Sequence, residues 1–187
     1  MSTVFSEFEA RRIGIKFEDE SEHTMIECIG ALEEQMDSKI VSKKCRGVVK
    51  KKRVKGTGTG LLKLKFHCPY DVYIKAFGME LGDLVEGFKA YGQNSVHKTF
   101  SLTVDVFDED DNRKVKGYPN CIIENGKGSK IENGAEEVAE IELDINVSPD
   151  DYGNGVYEGL VETEADVTLA DQFMLGFTPE VVHVETT

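Results

Sequence analysis

The side chains that carry most protein chemistry are present in this chain, but not in working arrangements. The four histidines, His23, His67, His97 and His183, show no metal-ligand spacing. Each reads as a surface or half-buried side chain rather than a base. The cysteines Cys28, Cys45, Cys68 and Cys121 are irregularly spaced and form no C-x-x-C pair. That argues against a zinc ribbon or a thioredoxin-type site and for reduced thiols. Asp108, Asp110 and Asn112 begin like a calcium loop. The sixth position is then Arg113 instead of Gly and the twelfth Pro119 instead of Glu, so a solvated turn is the better reading. Gly56–Gly60 is glycine-rich, yet neither a helix nor a Lys-Ser/Thr pair follows it, as a phosphate cradle requires. There is no G-x-S-x-G nucleophile elbow. The sequence therefore predicts a non-enzyme with no catalytic residue, no metal and no cofactor.

The charges are more informative. From Ser38 to Tyr70 the chain holds no acidic residue. The same stretch carries eleven of the 22 Lys and Arg: Lys39, Lys43, Lys44, Arg46, Lys50, Lys51, Lys52, Arg53, Lys55, Lys63 and Lys65. It bears +11 against −24 on the other 154 residues, and the two make up the net −13. Such a charge dipole speaks about partners rather than fold. A basic arm on an acidic body binds either a foreign polyanion or another copy of that body.

The elements that must carry these charges are mostly strands. Ile13, Ile15 and Phe17 alternate with polar residues or glycine, and Leu62, Leu64 and Phe66 alternate with Lys63, Lys65 and His67. Phe100, Leu102, Val104 and Val106 alternate with Ser101, Thr103 and Asp105. Ile141, Leu143, Ile145 and Val147 alternate with Glu142, Asp144 and Asn146. Each is the period-2 pattern of a strand with one buried and one wet face. Turn signals at 108–112, 125–126, 133–134, 148–151 and 153–155 separate the runs. One helix is expected at about 70–77, opened by Pro69 and stopped by Gly78, with Val72, Tyr73, Ala76 and Phe77 on one stripe. A shorter helical turn is considered around Leu81–Val85. The spacing predicts a mainly β chain: an antiparallel β-sandwich or barrel-like protomer with one flanking α-helix. Length and composition suit a single domain over 1–187. No run is long enough for a membrane helix, and MSTVFSEFEARR lacks the apolar core of a signal peptide.

The basic stretch reads as a long hairpin arm at about 38–67, with one strand over 38–55, a Gly-Thr-Gly-Thr-Gly turn and a return strand over 61–67. A two-stranded ribbon is marginal alone, so it either docks on something or orders when a partner arrives. Glu140, Glu142 and Asp144 fall on one face of a single strand. A row of like charges costs repulsion unless it is well hydrated or meets a cation. It is either an ordinary solvent face or a surface that repels polyanions. The turn Asp108–Asp111 is a second acidic cluster, which could do the same or receive the basic ribbon.

The order of elements resembles a known family, the major tail tube proteins of long-tailed bacteriophages and related tail-like bacteriocins. The stretches that carry it are the polar hairpin ending LLKLKF, the helix PYDVYIKAFGM, the strand-turn-strand KTFSLTVDVFDEDDNRKVKGYPNCIIENG, and EEVAEIELDINVSPDDYGNGVYEGLVE with a short PEVV tail. The resemblance covers roughly positions 10–182. It implies a structural virion protein whose fold is a β-sandwich with a flanking helix. It implies homohexameric rings whose inner sheets join into a barrel and which stack into the tube that conducts DNA during genome ejection. It further implies a hairpin reaching a neighbouring subunit or ring, a generally acidic lumen, other tail proteins as partners, and no membrane. The location implied is the virion tail, after self-assembly in the bacterial host cytoplasm.

Those implications agree with the charges. DNA binds Lys/Arg surfaces through counterion release, so a conduit needs a negative lumen. On this reading Lys43, Lys44, Arg46, Lys50, Lys51, Lys52, Arg53 and Lys55 make the inter-subunit contact, and Glu140, Glu142 and Asp144 are the candidate lumen-facing acids. The alternative is a DNA- or RNA-binding module that uses the ribbon 43–55. No aromatic residue lies between 43 and 65, which weakens single-strand stacking, and the net acidity argues against duplex binding.

Overall fold

A computed structural model describes residues 4–134, 136 and 138–183, apart from the side chains of Cys45 and Lys50. The chain forms a mainly antiparallel β fold. Its strands are β1 (Glu9–Phe17), β2 (Thr24–Ile26), β3 (Ile29–Cys45), β4 (Val48–Phe66), β5 (Phe100–Phe107), β6 (Arg113–Ile123), β7 (Ile141–Ser148) and β8 (Tyr157–Val161). Its helices are α1 (Tyr70–Ala76), α2 (Glu164–Gly176) and α3 (Pro179–Val182). The strands make one sheet in the order β2-β1-β5-β6-β7-β4-β3, with β8 paired to the first half of β6. Every pairing is antiparallel. The sheet curls so that β3 at one edge comes against β1 near the other, and Lys116 of β6 donates to Glu34 of β3 at 3.2 Å.

The alternating runs do what their period dictates. Ile13, Ile15 and Phe17 of β1, Leu62, Leu64 and Phe66 of β4, Leu102 and Val104 of β5, and Leu143, Ile145 and Val147 of β7 turn inward into one core. Burying each such side chain contributes about 1.5–3 kcal/mol. The first helix closes one end of this core with Val72, Tyr73, Ile74 and Ala76. Phe77 follows it, ringed by Tyr73, Tyr91 and His97. Leu81–Val85 forms turns rather than a helix.

A second, smaller core lies on the other side of the sheet. There α2 lays Ala170, Phe173 and Met174, followed by Phe177, against Val115. Thr163 caps α2 by accepting from Asp166 N, and Asp166 returns the bond to Thr163 N. Gly117 makes room for this helix: a Cβ there would stand 2.6 Å from Phe173 Cζ. The face of β5 expected to be wet is consequently dry, with Thr103 and Asp105 both fully buried. Thr103 Oγ1 donates to Met174 O at 3.0 Å. Asp105 is gripped by Arg12 at 2.5 Å and Arg113 at 2.6 Å, and Arg113 also holds Asp171 of α2 at 2.8 Å. A buried carboxylate is tolerable only with such pairing.

Candidate functional site

The basic stretch is a hairpin, but its turn is not the expected one. The chain reverses at Arg46-Gly47, with φ of 52° and 77°. Two consecutive positive φ values match a two-residue type I′ turn, whose twist suits a hairpin. The Gly-Thr-Gly-Thr-Gly segment instead lies inside β4 and pairs back toward β3, which lengthens the hairpin to Ile29–Phe66. The pairing breaks there: Met36 opposes Gly60 and Ser38 opposes Gly56, so Asp37 alone faces Thr57, Gly58 and Thr59. Such a bulge bends the strands and increases their twist. Asp37 fixes the bend, accepting from Thr59 Oγ1 at 3.0 Å through its carboxylate and from Thr57 Oγ1 at 3.2 Å through its carbonyl. Gly58, with φ of 78°, sits against the loop before β8: a Cβ there would lie 2.7 Å from Gly153 O.

Past this bend the hairpin leaves the body. Every described residue from Ser38 to Gly56 is exposed. Eight residues per strand project about 26 Å at the usual rise. Register sorts the side chains onto two faces, because residues directly opposite in an antiparallel pair share a face. Lys39 opposes Lys55, Val41 opposes Arg53 and Lys43 opposes Lys51 on one face. Ile40 opposes Val54 and Ser42 opposes Lys52 on the other, where Lys44 and Val49 follow after a second bulge. The ribbon is thus two-sided, with five cations on one face and an exposed apolar pair beside Lys44 and Lys52 on the other. Lys43, Lys44, Arg46, Lys51, Lys52, Arg53 and Lys55 are exposed. None of them forms an ion pair among the described residues, and the side chain of Lys50 lies outside these. Two lysine pairs face each other directly, which destabilises an isolated ribbon.

The acidic candidates sit on the outer face of the body. Glu140 precedes β7, and its carboxylate lies over Gly30. Glu142 and Asp144 point away from the core along β7. The expected row of like charges is interrupted by β4, where Lys65 opposes Glu142 and Lys63 opposes Asp144. Lys65 Nζ stands 3.4 Å from Glu142 Oε2, and Glu33 of β3 flanks Lys63 on its other side. The patch stays negative, with four carboxylates against two lysines, and alternates in sign. The turn at Asp108 folds on itself: its carboxylate accepts from Asp110 N, Asn112 N and Asn112 Nδ2 at 2.8–2.9 Å. Those bonds hold its carboxyl below the ordinary value against the opposing effect of burial.

Three buried polar side chains escaped the sequence reading. Lys116 is buried against Glu7 at 2.7 Å, Glu34 at 3.2 Å and Glu158 at 3.3 Å. Burial alone would lower its pKa, and the three carboxylates outweigh it and raise it. Tyr118 beside it donates its hydroxyl to Glu34, and burial and that carboxylate push its pKa up. His23 is buried rather than at the surface. Its Nδ1 lies 2.9 Å from Leu175 O, which can only accept, so the proton is on Nδ1 and Nε2 accepts from Ser101 Oγ at 2.9 Å. Among the described residues no cluster of three His, Cys, Asp or Glu could hold a metal ion. Cys28, Cys68 and Cys121 are free thiols.

No family model matches this sequence, and no curated protein does. Among solved structures, the chain is similar to a component of the anti-feeding prophage cap, the terminating cap of its tube, with TM-score 0.46 and 10% identity over 86% of this chain and 96% of that one. It is also similar to a component of the six-fold symmetrised anti-feeding prophage baseplate, with TM-score 0.44 and 9% identity over 87% of this chain and 100% of that one.

Proposed function

We propose that this chain is a structural tail protein, the protomer of a tail tube in a long-tailed bacteriophage or a related phage-tail-like particle. Copies assemble into hexameric rings that stack into a conduit for DNA during genome ejection. The ribbon carries this reading: it projects from the body, is exposed on both faces, and places lysines opposite lysines that form no ion pair among the described residues. A partner with an acidic surface removes that repulsion, and another copy of a body at −24 offers one. In this reading Lys43, Lys44, Arg46, Lys50, Lys51, Lys52, Arg53 and Lys55 make the contact between subunits, and no residue is catalytic. Glu140, Glu142 and Asp144 belong to the lumen, where a net negative, hydrated face keeps a polyanion moving.

The test is microscopy and sedimentation of the purified chain at high concentration. Hollow tubes or six-fold rings are expected. Reversing Lys50, Lys51, Lys52 and Arg53 to Glu should leave a folded monomer; tubes unchanged by that reversal would sink the ribbon's role. A monomer that instead retards DNA in a gel, and loses that property on reversal, would establish the DNA- or RNA-binding alternative.

A further inference from the structure

The end of the body opposite the ribbon offers a surface of complementary character. In β4 the chain runs from the ribbon through Gly60 to Phe66, and α1 starts at Tyr70. The loop between α1 and β5 therefore leaves the body at the far end of β4. That end is pinned firmly. Gly78 has φ of 58° and no room for a Cβ beside Val96 O at 2.0 Å. Met79 N bonds Ile74 O at 3.0 Å, Ala90 N bonds Met79 O at 3.3 Å, and His97 Nδ1 lies 2.8 Å from Ile123 O.

Between these anchors the chain makes an excursion whose apolar residues face solvent. Val85 is 76% exposed and Phe88 71%, in a turn closed by Phe88 N on Val85 O at 3.1 Å. Glu80 is taken by Lys89 at 3.2 Å. Asp83 and Glu86 are exposed and form no ion pair among the described residues. The excursion thus presents an exposed Val-Phe pair rimmed by two carboxylates that form no ion pair among the described residues. The second face of the ribbon has the matching set: Ile40 at 69% and Val54 at 68% exposure, opposite one another, with Lys44 and Lys52 beside them.

We infer that the excursion 83–88 of one copy is the seat for the Ile40/Val54 face of the ribbon of a second copy. Val85 and Phe88 cover Ile40 and Val54, while Asp83 and Glu86 take Lys44 and Lys52. Ribbon and seat lie at opposite ends of β4, about 23 Å apart along Gly60–Phe66 alone, so a ribbon points away from its own seat. The contact is head to tail, and such contacts propagate into an open filament. The inference rests on the self-assembly proposed above and names the receiving surface.

A charge swap in the full chain tests it. One variant carries Lys44→Glu and Lys52→Glu, the other Asp83→Lys and Glu86→Lys, with circular dichroism confirming the fold of each. Sedimentation velocity should show the wild type associating and each variant alone monomeric. An equimolar mixture of the two should associate again, as should the chain with all four changes, because each reversed ribbon then meets a reversed seat. If the loop variant associates like the wild type while the ribbon variant does not, the seat is overturned and self-assembly stands. A wild type that stays monomeric at every concentration overturns both. If the loop charge variant fails to fold, Val85→Ser with Phe88→Ser changes only exposed side chains. That variant should also lose association, and normal association by it rejects the seat.

Discussion

Single residues hold the outer helix on the sheet, and their protonation sets its stability. Burial pushes the pKa of His23 from 6.5 down to about 4, despite the favourable bond to Leu175 O. Lys16 lowers it further and Glu20 opposes. The folded chain therefore prefers the neutral ring, whereas the unfolded chain takes a proton near pH 6.5. The corresponding stability is present above pH 6.5 and is lost as pH falls toward 4, by at most about 3 kcal/mol. In denaturant melts, wild type should lose more stability between pH 7 and pH 5 than His23→Gln, which keeps a donor and an acceptor. Equal losses would remove His23 from the acid response. Gly117 acts through volume. Gly117→Ala meets Phe173 at 2.6 Å and Phe177 at 2.9 Å, both held in a packed core, and should destabilise by about 1–3 kcal/mol in the same melts.

At the scale of elements, the ribbon depends on its turn and its base. Arg46 occupies a left-handed conformation that asparagine adopts more readily. Arg46→Asn should slow amide exchange across Lys39–Val54, whereas Gly47→Val should speed it by straining a φ of 77°. At the base, Gly155 has Gly58 O only 2.0 Å from where a Cβ would stand. Backbone cannot swing aside as a side-chain tip can, so Gly155→Ala should loosen the ribbon's attachment and raise exchange at Thr57 and Thr59. The wrongly expected turn has a plain cause. Five alternating Gly and Thr residues look like a connection, but Asp37 ties the two threonines and the loop at 149–155 supplies the contact that only glycine permits. The second helix was signalled in the sequence by Thr163 and Asp166 at capping-box spacing and by Ala170, Phe173, Met174 and Phe177 on one stripe. The strand-dominated pattern before it hid that signal.

At the scale of the whole molecule, charge asymmetry should govern association. The Debye length falls from about 10 Å at 0.1 M salt to about 3 Å at 1 M, which weakens contacts between a ribbon and an acidic surface. The self-association proposed above should therefore shift toward monomer as salt rises across that range in sedimentation runs. If the Ile40/Val54 face docks as inferred, it should leave a residual, salt-insensitive part. Association that is unchanged by salt would assign the contact to apolar surface alone.

The strand periods, the first helix and the acid-free basic stretch were all written locally. They depend on neighbours two to four residues apart, and a chain cannot bury Leu62, Leu64 and Phe66 while wetting Lys63 and Lys65 in any other way. What lay beyond the sequence were relations across long separations. Lys63 and Lys65 interrupt the acidic row of β7 because two strands some eighty residues apart pair in one register. Asp105 is buried because α2, arriving some sixty residues later, covers a face that alternation had marked as wet. Local patterning fixes which residues can turn inward, whereas only the assembled sheet and its covering helix decide which polar faces meet water and which meet each other.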